Sequence, residues 1–202
     1  MKTRLLSAVF LCVSFVFSLQ ARNLESIGSL GLTFSGFGGN TAYHFGVSDE
    51  RGNYNGNGFF SIGVTYLRPI FEDMDIEFGV EFGRFNYLYN PVRSLDGRQN
   101  VGLSLITIPL TVRYYFWQFF FVNGGLLLDF DITRNNHLTP QSGLGLSGGV
   151  GFHYDFSSLP VGIFVNPFAR HHSLLLFSRD GHNTRTMEAG IRIGLVYNFG
   201  FE

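Results

Sequence analysis

"DIEFGVEFG", Asp75 to Gly83, decides how this chain folds. Ile76, Phe78, Val80 and Phe82 occupy every second position, and Asp75, Glu77, Gly79, Glu81 and Gly83 lie between them. Successive side chains of a strand point to opposite faces, so a period of two makes a strand with one apolar face and one of charge and glycine. "LITIPLTVRYYF", Leu105 to Phe116, repeats the pattern. Ile106, Ile108, Leu110, Val112 and Tyr114 share a face, with Thr107, Thr111 and Arg113 opposite.

Eight segments alternate in this way, at 27–37, 58–68, 74–86, 101–116, 119–131, 143–155, 160–171 and 185–201. Their apolar faces include Leu30, Leu32 and Phe34; Ile62 and Val64; Leu126 and Leu128; Leu146 and Val150; Ile163 and Val165; Ile191, Ile193 and Leu195. No charge interrupts the middle of any of them. The opposite faces carry Gly, Ser, Thr, Asn and nearly all the strand charges. A soluble sandwich is the alternative, its apolar faces packed sheet on sheet. Two features oppose it. The polar faces are small and mostly uncharged, unlike a wet surface. The segments also exceed the usual sandwich strand of about 5–6 residues and reach the roughly 9–11 that a tilted membrane strand needs. The reading is all-β, an eight-stranded antiparallel up-and-down transmembrane barrel, whose closure leaves no edge unsatisfied in lipid.

Composition agrees. Charged residues are 14% of the 202, against about 25% in an ordinary soluble domain. The chain has 24 Phe and 26 Gly, and its net charge of −1 offers no basic field for nucleic acid.

Lys2 and Arg4 followed by the apolar run Leu5 to Leu19 and the small residue Ala21 read as a secretory signal peptide over 1–21, with 22–202 as the barrel domain. Cleavage after Ser18 is the alternative site. A transmembrane anchor fits less well, since the run is short and no charged stop follows. Cys12 is preceded by Phe10 and Leu11, not by the small residues of a lipoprotein signal, and it leaves with the peptide. The mature chain then holds no thiol.

The links alternate in length. "PIFED", "WQF" and "FSSL" are short, whereas 38–57, 87–100, 132–142 and 172–184 are long and polar. Short periplasmic turns and long external loops are the bacterial habit, so both termini are expected in the periplasm and the chain in the outer membrane. Tyr66, Tyr114 to Trp117, Phe119, Tyr154, Phe156, Tyr197 and Phe199 gather at the short-turn ends as an interfacial girdle. Pro109 and Pro167 stand inside segments and predict a bulge or bend at each.

The inward set includes Glu77, Glu81, Arg113, Asn123, Asp129, His153, Asn166, Arg170, Glu188 and Arg192. An eight-stranded lumen is just wide enough for side chains, and buried charges must pair. These residues therefore predict an ion-pair network that plugs the tube, with Arg192 partnered by Glu77, Glu81 or Asp129. A narrow polar pore is the alternative.

"ITIPLTVRYYF", "FFVNGGLLLDF" and "GLGLSGGVGFHYDF" together resemble the small outer-membrane barrels of Bacteroidota type, called porin-family or PorT-like and similar in architecture to OmpX and OmpA. Ile108-Pro109 and Arg113-Tyr114-Tyr115 carry the likeness. It implies an integral outer-membrane barrel with a structural, surface-contact or secretion-assembly role and no shared catalytic set. Outer-membrane lipid and lipopolysaccharide, periplasmic chaperones and the barrel-assembly machinery are the partners it implies. No cofactor is implied.

Three motifs invite chemistry. "GLGLSG", Gly143 to Gly148, matches GxGxxG but lies within a strand with no helix after it, and so reads as small lumen residues. His171, His172 and His182 lack an acidic or Cys partner at metal spacing and read as loop histidines. His171, Ser173 and Glu188 resemble the His-x-Ser and Glu of lipid A deacylase barrels, except that Leu174 stands where those enzymes carry Asn. Strict alternation points His171 and Ser173 outward and Glu188 inward. A third function class is ligand contact through loops carrying "NYNGNG", Tyr43-His44-Phe45, Tyr87, Tyr89 and Arg93.

"RIGLVYNF", Arg192 to Phe199, resembles the C-terminal signal read by the assembly machinery, with Arg192, Gly194, Tyr197 and Phe199 in the pattern and Phe201 as a shifted final aromatic. Phe199→Ala with Phe201→Ala is expected to impair insertion, measured as loss of folded protein from outer-membrane fractions; a normal yield would refute the assignment.

Overall fold

The computed structural model describes residues 27–44, 53–90, 99–134, 140–177 and 184–200. The signal-peptide reading, Arg93, His182 and Phe201 lie outside them. Eight strands run β1 Gly28–His44, β2 Asn53–Phe71, β3 Met74–Asn90, β4 Gln99–Phe116, β5 Phe120–Asp131, β6 Gly143–Asp155, β7 Val161–Leu176 and β8 Thr184–Phe199. Each pairs antiparallel with the next, and β1 pairs with β8, from Gly28 opposite Phe199 to His44 opposite Thr184. The barrel is closed.

The alternation seen in the sequence becomes an inside-out protein. Leu32 is 64% exposed and Val150 57%, and Leu30, Phe78, Leu110, Leu126, Ile163 and Leu195 join them in a continuous outward apolar belt. Glu77, Arg113 and Asp129 are fully buried. Lipid supplies the solvent in which this inversion is stable, because the ladder satisfies the backbone and the belt meets hydrocarbon.

The strands are longer than the sequence suggests, and only at one end. At the short-turn end the boundaries agree within a few residues. At the opposite, far end, β1 continues through 38–44, β2 begins at Asn53 and β3 continues to Asn90, all stretches that read as loop. Polar residues there obscure the alternation, yet backbone pairing persists, as at Thr41 opposite Asn55 and Tyr54 opposite Tyr89. β1 to β4 span 17, 19, 17 and 18 residues, and β5 and β6 only 12 and 13. One side of the wall therefore projects some 20 Å along the strand direction beyond a minimal membrane span.

The girdle is also refined. Tyr114, Trp117, Phe120, Tyr197 and Phe199 are exposed outward, but Tyr115 and Phe119 are buried. Tyr115 falls on the inward phase of β4, and its hydroxyl donates to Asp75 Oδ2 at 2.9 Å.

Neither proline makes a bulge. The registers of β4 with β5 and of β7 with β8 run unbroken through Pro109 opposite Leu127 and Pro167 opposite Ile191. Flanking pairs place Pro167 across β6 from Val150. Pro167 has no N–H to give that carbonyl, and Asn166 Nδ2 donates to Val150 O instead, at 2.8 Å. A side chain has replaced one rung of the ladder. The true irregularities lie elsewhere, at Gly36/Gly39, Gly56/Phe59, Pro69/Phe71 and Leu144/Leu146. At the second of these, Asn40 ties three strands: its Oδ1 accepts from Gly58 N at 2.9 Å and its Nδ2 donates to Asn86 O at 3.0 Å.

Asn166→Ala is expected to lower unfolding free energy by about 1–3 kcal/mol, the cost of leaving a buried acceptor unmet. Adding Pro167→Ala restores a backbone donor and should recover part of that loss, measured by urea titration of the folded barrel in micelles.

Candidate functional site

The inward faces stack into layers. Toward the short turns, Leu67, Tyr115, Phe121, Phe164 and Val196 form an apolar floor, and at the strand ends beyond it lie the polar Ser29, Asp75, Asp155 and Asn198. At the far end, Tyr54, Phe85, Tyr87, Val101, Leu103 and Leu105 form an apolar cap, with Phe59 and Tyr89 against it. Between them lies the charged layer.

Glu77 is its centre. Oε2 accepts from Arg113 Nε at 2.7 Å, and Arg192 reaches both oxygens, at 2.9 and 3.2 Å. Thr65 and Thr111 donate to the same carboxylate at 2.9 and 3.3 Å. Glu81 takes both terminal nitrogens of Arg170, at 2.5 and 3.0 Å, and lies 3.4 Å from Arg192. Glu188 sits 3.4 Å from Arg170 and 3.3 Å from His172 Nε2. Of the expected network of Glu77, Glu81, Arg113, Asp129, Arg170, Glu188 and Arg192, all but Asp129 meet directly, Asp129 is joined to Glu188 only through His172, and Arg192 has two of its three anticipated partners.

The cations also rest on rings. Arg113 lies 4.6 Å from the centroid of Phe121 and 4.2 Å from that of Phe164, Arg192 lies 5.3 Å from Phe164, and Arg170 lies 4.7 Å from Phe168. This needs room on β8. A Cβ on Gly194 would stand 2.1 Å from a Phe164 ring carbon, so Gly194, read as part of the assembly signal, has a packing role as well.

Asp129 heads a second group. It pairs with His172 Nδ1 at 3.0 Å, accepts from Thr107 Oγ1 at 2.8 Å and accepts from the Ser173 backbone N–H at 2.9 Å. Here alternation fails. While β6 advances two residues, from Leu144 to Leu146, the partner positions on β7 run four, from Leu175 to His171. His172 keeps the inward phase of Arg170, and the bulge turns Ser173 inward beside it with φ of 48°. Ser173 is fully buried, contrary to the outward orientation expected of it. Its Oγ donates to Gln141 O at 2.6 Å.

His171, Ser173 and Glu188 are not brought together. His171 faces outward, with Nε2 2.6 Å from the Tyr43 hydroxyl and Nδ1 3.2 Å from His172 O. Glu188 lies on the lumen side with Arg170. A serine nucleophile needs a base in hydrogen-bond reach, and neither ring nitrogen of His171 offers that to Ser173. His171 and His172 also diverge across the wall, so they do not share a site.

Sequence reasoning missed the apolar floor and cap, His172 in the ionic layer, and the roles of Tyr87 and Tyr89. Both tyrosines read as loop contacts. Tyr87 is fully buried in the cap, and Tyr89 stacks on Tyr54 with centroids 4.8 Å apart. The available signal was phase: Phe85 and Tyr87 continue the inward set of Glu77 and Glu81, and Leu105 and Leu103 that of Thr107.

Among solved structures, outer membrane protein AlkL in lipid bilayers matches 91% of this chain and 94% of its own, at 14% identity and a TM-score of 0.58. The chain has the fold of a small outer-membrane barrel. OprG of Pseudomonas aeruginosa is similar over 87% of this chain and 97% of its own, at 17% identity and a TM-score of 0.45. No family model and no curated protein matches the sequence.

Glu77→Gln should cost about 3–5 kcal/mol, the usual penalty for stranding one side of a buried ion pair, since Arg113 loses its carboxylate and Arg192 keeps only Glu81 at 3.4 Å. Arg68→Gln on the exposed surface should have little effect, both read from denaturant midpoints of the refolded barrel.

Proposed function

We propose that the chain is an integral outer-membrane protein that acts as a closed, rigid scaffold and presents its far end to the surroundings. The carrying observation is the occupied lumen. A charged layer in which every Arg and Glu has a partner lies between an apolar floor and an apolar cap, and an eight-stranded tube has no room left for a water column. Such a layer resists solvation, because opening it would separate bidentate pairs held in a low dielectric.

In this reading the termini are periplasmic, the short turns face the periplasm and the projecting ends of β1 to β4 face out. Biogenesis runs through the signal peptide, the periplasmic chaperones and the assembly machinery, and lipopolysaccharide surrounds the outer half of the belt. The role is structural or one of surface contact, through the links at 45–52 and 91–98 and the polar outward residues Asn57, Asn86 and Asn100. The kinship to Bacteroidota-type porin-family barrels, including a PorT-like assembly role, belongs to the same proposal and rests on the Ile108-Pro109 and Arg113-Tyr114-Tyr115 pattern.

The purified barrel in planar bilayers is expected to show no stable conductance of porin size. Steady single-channel steps of that size would overturn the closed-scaffold reading. Replacing 45–52 and 91–98 with short Gly-Ser turns should leave folding intact and abolish adhesion of expressing cells to a surface that the wild type binds.

A further inference from the structure

The two edges of the apolar belt differ in charge. At the short-turn edge, outward charges of both signs occur: Arg68, Glu72 and Asp73 are all exposed. At the far edge, the outward charged side chains among the described residues are Arg84, Arg134 and Arg185, with His171 beside them and no carboxylate. Arg84 follows Phe82 on the outward face of β3, and Arg185 precedes Met187 on that of β8. None of the three arginines has an ion pair among the described residues. A row of cations at one membrane edge is a costly arrangement unless negative charge lies against it.

One part of this edge is organised further. Tyr43 on β1 is directly opposite Arg185 on β8. His171 on β7 is opposite Met187, the next outward residue of β8. Tyr43 and His171 therefore flank β8 from either side, and their side chains meet over it, with the hydroxyl 2.6 Å from Nε2 and the rings nearly perpendicular at 82°. Arg185 Nη1 donates to the Thr184 carbonyl at 3.4 Å, and the rest of its guanidinium makes no hydrogen bond among the described residues. All three side chains are only partly exposed, so the patch is shaped by its neighbours and does not trail into solvent.

We propose that Tyr43, His171 and Arg185 form a binding site for the phosphate of an outer-leaflet phosphoglycolipid. The inference rests on the outer-membrane reading above. Arg185 supplies a planar cation suited to phosphate oxygens. Tyr43 supplies a hydroxyl held by His171: when the ring carries both protons, as an adjoining phosphate favours, Nδ1 donates to His172 O and Nε2 to the Tyr43 oxygen, and the phenolic proton is left for a phosphate oxygen. The apolar residues below, Met187, Ala189 and Ile191 on β8 with Leu146 on β6, offer acyl chains a continuous surface. The headgroup and the chains of one lipid would thus meet matching chemistry at successive levels of the same wall. Arg84 and Arg134 extend the cationic edge around the barrel.

The test is native mass spectrometry of the folded full-length mature barrel in mild detergent, with a bis-phosphorylated acylated glucosamine disaccharide as probe. The wild type should retain this lipid at least tenfold more than its dephosphorylated form. Arg185→Gln should reduce retention about tenfold and Tyr43→Phe by a smaller factor, while Arg68→Gln at the other edge changes nothing. Heat-dependent gel migration confirms that each variant is folded. Equal retention of the two lipid forms, or full retention by Arg185→Gln, would overturn the site. Complete displacement by millimolar inorganic phosphate would also overturn it, since the patch would then hold a free anion and not a lipid. Membrane fractionation tests location separately: a barrel found outside the outer membrane would sink the functional reading even if the lipid still bound in detergent.

Discussion

One buried carboxylate holds the barrel to its shape. Glu77 projects from β3 and meets Thr65 of β2, Thr111 and Arg113 of β4, and Arg192 of β8. Four strands are bound through a single side chain. Outside, lipid gives the apolar belt no reason to prefer one barrel shape over another, because hydrocarbon is a uniform solvent. Inside, charges taken from water must find partners in fixed geometry. Shape is therefore specified from within.

The rest of the lumen follows from that requirement. The guanidinium of Arg113 can sit so deep because Phe121 and Phe164 supply ring faces against it, and Phe164 can lie there because position 194 has no side chain. Small residues on the inward faces are thus spaces left for large ones on neighbouring strands. Asn166 shows the same economy, completing the rung that Pro167 omits while accepting from Arg192 at 3.2 Å. The apolar floor and cap seal the charged layer from both aqueous ends and keep the dielectric around it low.

The bulge on β7 is where local rules give way. Four residues on one strand oppose two on the other, and Ser173 takes a backbone conformation that costs a non-glycine residue about 1–3 kcal/mol. Asp129 holds it there through the Ser173 amide and through His172. Beside it His171 lies on the membrane side and His172 in the lumen. Two adjacent histidines serve opposite faces of one wall, as ordinary alternation places them, and Ser173 alone leaves its phase.

The sequence by itself determined the number of strands, their faces outside the β7 bulge and, His172 apart, the members of the ionic layer. Those depend on a period of two, which the chain displays wherever one face meets lipid and the other a narrow lumen. It did not determine the far-end strand limits, since polar residues on both faces erase the period while backbone pairing continues. Nor did it determine who pairs with whom. Residues 77 and 192 meet because β8 closes onto β1 and turns its inward face across the lumen toward β3, a consequence of closure with no local signature. The inward turn of Ser173 is of the same kind. An extra pair of residues in β7 has meaning only against the unbulged β6 beside it, so only the assembled sheet could decide which face that serine would join.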